Sequence, residues 1–247
     1  MRIVFAGSPS AAIPTLENLI PHHEVVAVIT QPPAPAGRNK VIRKSPIHEF
    51  AESRNLVVLT PHSINDADFL KELSVLDAEL GVIVAYGQLL KADALNVLPL
   101  GWLNLHFSLL PQYRGAAPIQ RAIMHGESVT GATVFQLDHG MDTGPIFGSV
   151  TTEILTNDDS DSLMSRVADL GGELMAKVIE SISLGTARPL SQSVDNVSYA
   201  PKISTSEANI KWHHPALGIS RWVRGLSPKP GAWTTAFDQK ILIGPCE

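Results

Sequence analysis

The chain has 247 residues, 44% of them hydrophobic and 17% charged, with a net charge of −5 at neutral pH. That length suits one large α/β domain, or a domain with a smaller companion, and the apolar fraction excludes a disordered chain. The negative balance excludes a uniformly basic nucleic-acid binder but not a local basic patch. The one cysteine, Cys246, allows no intrachain disulfide and no cysteine-based metal site, so an intracellular, cytoplasmic protein is expected. No stretch of sequence is long and apolar enough to span a membrane. The first apolar run breaks at Gly7-Ser8-Pro9, as an initial strand does and a signal peptide does not.

Residues 3–6 (IVFA) form a continuous apolar run ending in a glycine turn, the pattern of a strand buried on both faces of a parallel sheet. Residues 11–20 read as a helix with Pro14 in its first turn. Residues 25–30 (VVAVIT) read as a second strand. QPPAPAGRNK follows, and its three prolines and one glycine predict no regular structure. Ser45 caps a helix that starts at Pro46 and runs to about Ser53. Residues 56–59 are a third strand, 65–76 a helix and 80–85 (LGVIVA) a fourth strand. This alternation predicts an α/β fold, a Rossmann-like, doubly wound and mostly parallel sheet. Such sheets bind ligands beyond the carboxyl ends of their strands, which places Gly7-Ser8-Pro9, Thr30-Gln31-Pro32 and Tyr86-Gly87-Gln88 on the ligand edge.

Further strands are expected at 103–107, 131–137 and 146–154, with a helix at 118–124. Residues 160–183 have the spacing of a long amphipathic helix. The pattern weakens over 184–201, as in a linker. The remainder has a helix-like middle and an alternating stretch, 232–243, that suits a hairpin turning at Asp238-Gln239.

The chemistry concentrates in LNLHFSLLPQYRGAAPIQRAIMHGESVTGATVFQLDHGMDTGPIF, which holds Asn104, His106 and Asp142. An amide can donate to a developing oxyanion, an imidazole can exchange a proton near neutral pH, and a carboxylate can orient that imidazole. Asn104 and His106 stand at i and i+2, so on a strand they share one face. Their plain alternative is two polar residues satisfied by backbone. Asp142 has a plain alternative as a turn residue, a role Asp138 can fill instead. Gly7-Ser8-Pro9 is no GxGxxG, so a dinucleotide site is poorly supported. Arg38, Lys40, Arg43 and Lys44 are the densest basic cluster, readable as a solvated loop or an RNA contact. His213-His214 lack a second group of ligands at useful spacing, so no metal site is expected.

LNLHFSLLPQYRGAAPIQRAI followed by GATVFQLDHGMDTGPIF resembles the signature of the folate-dependent formyltransferases. AYGQLL, TQPPAPAGRNK and SYAPKISTSEANIKW are similar to segments of the members that formylate methionyl-tRNA, and the resemblance runs from FAGSP to LSPKPGAW. It implies transfer of the formyl group of 10-formyltetrahydrofolate to the methionine amino group of initiator methionyl-tRNA, without a metal. It implies Asn104, His106 and Asp142 as the catalytic trio, and Ser108, Leu109, Leu110 and Pro111 as a folate-binding segment. A flat apolar slot for the pterin is expected between Tyr86, Gly87, Gln88, Leu89 and Leu90 on one side and residues 136–141, with Asp138, on the other. For Leu89 and Leu90 ordinary core packing is a serious rival. The loop over 32–44 resembles the one that reaches the acceptor end of the tRNA. The expected organisation is a catalytic domain over 1–183, a linker over 184–203 and an incomplete C-terminal domain of β-barrel type over 204–247. Two alternatives stand beside this: a formyltransferase acting on a small amine, either an amino sugar or glycinamide ribonucleotide, and an inactive folate- or RNA-binding module.

Overall fold

The computed structural model describes residues 1–36 and 41–245. β1 (Arg2–Gly7) leads through a 3-10 turn into α1 (Ile13–Leu19), with Pro14 in its first turn, and then β2 (Glu24–Ile29). The proline-rich segment is not wholly irregular. β3 (Ala34–Ala36) and β4 (Val41–Arg43) pair antiparallel as an isolated arm, with Pro35 opposite Ile42. Proline bars a central strand but is tolerated where one side of the ladder faces solvent. α2 (Pro46–Ser53) starts as its sequence dictates, with Ser45 Oγ accepting from the His48 amide at 3.1 Å. After β5 (Val58–Leu59) comes α3 (Ala67–Ser74), shorter than the periodicity suggests because Asp66 caps it through the Asp68 and Phe69 amides. β6 (Leu80–Val84) is followed by a short turn of helix, α4 (Ala92–Leu95), which the sequence reading omitted. β7 (Trp102–His106), α5 (Pro118–His125), β8 (Val129–Gln136), β9 (Ile146–Glu153) and α6 (Ser160–Ser183) complete the larger unit.

The strands form one sheet in the order β5-β2-β1-β6-β7-β8-β9. The first five run parallel, while β8 and β9 extend it antiparallel. Apolar side chains alternate between two cores. Ile3, Phe5, Leu103 and Leu105 pack toward α1 and α6, whereas Val4, Ala6, Ile83 and Trp102 pack toward α3 and α4. Helices covering both faces explain why β1 and β6 read as unbroken apolar runs. β1 has β2 on one side and β6 on the other, so the strand order reverses there and leaves a crevice at the carboxyl ends.

α7 (Ala216–Leu226) packs on α5, and only glycine fits at 225, where a Cβ would lie 2.9 Å from the Gln120 carbonyl oxygen. Ala208, Ile210, Val223, Leu226 and Ala232 make a small separate core. β10 (Ala232–Ala236) and β11 (Gln239–Ile243) form the expected hairpin, but Ala236 pairs with Gln239, so the turn is Phe237-Asp238. Both turn residues are left-handed, at φ 50° and 57°, as a two-residue turn matching strand twist requires. The segment after α6 folds back on the sheet unit: Leu190 exchanges two backbone hydrogen bonds with Ile146, and Ser198 and Ala200 bracket Arg114. Among the described residues no helix is long and apolar enough to cross a membrane.

Candidate active site

β7 places Trp102, Asn104 and His106 on one face and Leu103 and Leu105 on the other. At the end of the strand that face opens into a cleft of about 1170 Å³, which Asn104, His106 and Asp142 all line. Pro9, Ser10, Ala85, Gly87 and Gln88 bring in the carboxyl ends of β1 and β6, so the cleft sits at the reversal of strand order. The three residues singled out in the sequence therefore meet in one hollow.

Asn104 is half-buried between Ile83 of β6 and Phe135 of β8, and among the described residues its amide has no hydrogen-bond partner. His106 is buried, with its Nε2 2.9 Å from the Tyr113 carbonyl oxygen. A carbonyl only accepts, so Nε2 carries a proton and, in the neutral ring, the lone pair is on Nδ1. Nδ1 lies 3.7 Å from Asp142 Oδ2, an ion-pair separation and too long for a direct hydrogen bond. The Phe135 ring stands edge-on to the imidazole at 6.4 Å. Burial holds the His106 imidazolium below its ordinary pKa, while the Asp142 carboxylate and the Tyr113 carbonyl oppose that shift. Asp142 Oδ2 accepts from the Gly115 amide at 2.7 Å, which fixes the carboxylate from the other side.

The remaining predicted residues divide. Gly87 and Gln88 line the cleft, and the Gln88 side chain ties loops together by accepting from the Ile64 amide at 2.8 Å. Tyr86 does not present its ring. The side chain is packed in the core, burial pushes its phenol up to about 12, and only its carbonyl serves the edge, accepting from Ser8 Oγ and Gln31 Nε2. Leu90 is core as well, whereas Leu89 is 79% exposed. Ser108, Leu109, Leu110 and Pro111 stand outside the cleft lining. Ser108 Oγ donates to Gln112 O, and Thr133 Oγ1 bridges the Ser108 carbonyl and the Leu110 amide, so this segment works as a tight turn. Asp138 accepts from the Gly140 amide and Thr143 Oγ1 and borders a different hollow of about 790 Å³. It therefore takes the turn-forming role, with Asp142 left to face His106. Arg38 and Lys40 lie outside the described residues. Arg43 is exposed on β4, while Lys44 is engaged by Glu52 at 2.7 Å.

Sequence reading missed the cations around the mouth. Arg114 is buried along the cleft wall, and Lys202 and Lys229 stand exposed at its rim. Arg114 belongs to the same dense motif and was legible there. The two lysines come from segments whose path no local pattern reveals.

The family described as "Formyl transferase" matches residues 1–179, and "Formyl transferase, C-terminal domain" matches residues 202–247. A methionyl-tRNA formyltransferase of Acidothermus cellulolyticus is 47% identical over 246 residues, 99% of this chain and 76% of that protein. One of Rhodococcus erythropolis is 45% identical over 247 residues, 99% of this chain and 80% of that protein. The chain belongs to the methionyl-tRNA formyltransferase family. Its match to these methionyl-tRNA formyltransferases spans the sheet unit and the α7 region alike. Among solved structures, a 4-N formyltransferase from Francisella tularensis superposes with a TM-score of 0.76 at 17% identity, covering 98% of this chain and 96% of that one. An N-formyltransferase from Helicobacter canadensis, in complex with folinic acid and dTDP-3-aminofucose, gives 0.71 at 22% identity, covering 97% and 85%. At those identities the likeness establishes the fold alone.

Proposed function

We propose that the chain transfers the formyl group of 10-formyltetrahydrofolate to the α-amino group of methionine carried by initiator tRNA. The observation that carries this reading is the meeting of the Asn104 amide, the His106 Nδ1 lone pair and the Asp142 carboxylate in one cleft. The amine nitrogen attacks the formyl carbon, forming a C–N bond and placing negative charge on the formyl oxygen. Asn104 donates to that oxyanion. His106 Nδ1 takes the proton the amine must lose, and Asp142 stabilises the resulting imidazolium. The bond from carbon to N10 then breaks, and the proton passes to N10, releasing tetrahydrofolate.

The left-handed backbone at Gly87 (φ 88°), with no atom nearer than 3.8 Å to the place of a Cβ, leaves a strip of open backbone on which a flat heterocycle can lie. On the acceptor side, Arg43 on the arm, and Lys202 and Lys229 at the rim, supply positive charge for RNA phosphates on a chain whose net charge is −5, and the sequence adds Arg38 and Lys40 to that basic cluster. The same reading places the protein in the cytoplasm and keeps the division at 1–183, 184–203 and 204–247, with the middle segment strapped to the sheet unit. Offering charged initiator tRNA, an amino sugar nucleotide and glycinamide ribonucleotide in turn with 10-formyltetrahydrofolate tests it. Formylation of the tRNA alone is expected, and preference for a small amine would reassign the substrate.

The protonation state of His106 is separately measurable. With ¹⁵N-labelled protein, the imidazole should titrate below 6.5 and show the Nε2–H form at neutral pH. Asp142→Asn should lower the midpoint further, because the carboxylate is the group that raises it. A ring charged at pH 7 would remove His106 as the base.

A further inference from the structure

Asp142 holds a left-handed backbone, φ 54°, a conformation uncommon in non-glycine residues though more accessible to Asp than to most, and the loop that carries it is constrained from outside. The constraint comes from the segment after α6, which the sequence reads as a linker. Gln192 Nε2 donates to the carbonyls of both Asp142 and Gly144, each at 2.8 Å, on either side of Thr143. Gln192 Oε1 accepts from Arg114 Nη2 at 2.6 Å and Arg114 Nε at 3.2 Å. The amide has two N–H groups and two lone pairs, and all four are used. Its orientation is fixed, because the carbonyls only accept and the guanidinium only donates. Arg114 precedes Gly115, whose amide holds the Asp142 carboxylate. One side chain thus grips the Asp142 main chain directly and, through Arg114, the strand of backbone that grips its carboxylate.

We propose that Gln192 is a positioning residue for catalysis: it holds Asp142 at its working distance from His106. The inference rests on the functional reading above. Arg114, through the amide of its neighbour Gly115, and Gln192, through the carbonyls, close a ring around the DHGMDTGP loop, so loss of Gln192 lets the carboxylate drift from the imidazole without touching substrate.

The test uses Gln192→Met, which keeps the volume and removes every hydrogen bond. It also uses Gln192→Glu, which keeps the Arg114 partner but turns an oxygen toward two carbonyls. Both should lower kcat for methionyl-tRNA formylation about 10- to 100-fold, the range set by losing a pair of buried hydrogen bonds. KM for 10-formyltetrahydrofolate should stay within about twofold, since no substrate contact is lost. In an Asp142→Ala background neither change should cost further activity, because residues acting through one another are not additive. Should Gln192→Met fail to fold, Gln192→Glu carries the same test with its Arg114 contact intact. Unchanged kcat in a folded variant, or an equal loss with and without Asp142, overturns the positioning role and leaves the functional reading standing. Full activity of Asp142→Ala alone would overturn both.

Discussion

Replacing Asn104 with alanine is expected to lower kcat for formyl transfer by about two to three powers of ten, the usual effect of deleting one oxyanion donor. Asn104 is the one polar side chain on the cleft-facing side of β7 that the protein leaves without a hydrogen-bond partner among the described residues. His106 is tied to Tyr113, and Asp142 to Gly115. On the reading proposed above, this amide faces the cleft with its donors free for the formyl oxygen as charge develops there. Its contribution then appears mainly in the transition state, so KM for the folate should move little while kcat falls. The change opens no enclosed cavity, because Asn104 faces the cleft, and the melting temperature should shift by no more than a few degrees. Asn104→Asp makes the sharper control: it keeps the shape and puts an acceptor where a donor is required, so it should be at least as damaging. Single-turnover transfer with charged initiator tRNA reads both variants. A folded Asn104→Ala protein working within about threefold of the parent would show that the oxyanion is held elsewhere.

The parts of this site visible in the sequence were those whose signal is local. Alternation on a strand put Asn104 and His106 on one face, and glycine and threonine announced a loop at Asp142, but it was the resemblance to the formyltransferases that singled out the three together. The parallel sheet was legible because helices on both faces force unbroken apolar runs. What stayed hidden was set by distance. Gln192 sits where periodicity fails, since its segment is held by backbone pairing to Ile146 and Arg114 rather than by an apolar face. Tyr86 was expected as a wall of the slot because it follows the fourth strand at the ligand edge and matches the family pattern, yet its ring turns into the core while Gly87 and Gln88 line the cleft. That Thr133, twenty-odd residues later in the chain, ties the Ser108 carbonyl and the Leu110 amide into a turn was likewise beyond any local pattern. The β3–β4 arm was missed because its prolines argue against any ladder, and a three-residue edge pairing is the form that escapes that rule.

Arg166→Met should destabilise the fold by about 3 kcal/mol, the lower end of the range for breaking a buried ion pair, because the guanidinium is partly exposed. Asp158 is 3% exposed, and its carboxylate accepts from both terminal nitrogens of Arg166, from the Leu155 amide and from Ser162 Oγ. Burial pushes the Asp158 carboxyl upward, but the hydrogen bonds from Arg166, Leu155 and Ser162 together with the Arg166 charge outweigh it and hold the pKa below the ordinary value. A depressed carboxyl pKa stabilises the fold above the unfolded-state value and loses that contribution as pH falls through the folded-state value. Removing the guanidinium leaves a buried charge without its counter-ion, so the carboxyl pKa of the variant rises above that of the parent. The difference from the parent should therefore be largest near pH 7 and shrink as pH falls through about 4. Methionine retains most of the apolar stem, so the loss reports charge rather than packing. The consequence extends beyond the loop. The Asp158 carbonyl accepts from Arg224 of α7 at 2.7 Å, and neighbouring Ser160 donates to the Ser227 carbonyl. This short turn before α6 is thus where the sheet unit holds the segment that carries Lys229 to the cleft rim. Denaturant unfolding at pH 7 and about pH 4 measures the stability term, and proteolysis of residues beyond 203 measures release of α7. Equal destabilisation at both pH values would mean that Arg166 acts through its contacts with Thr152 and Glu153, not through the Asp158 charge.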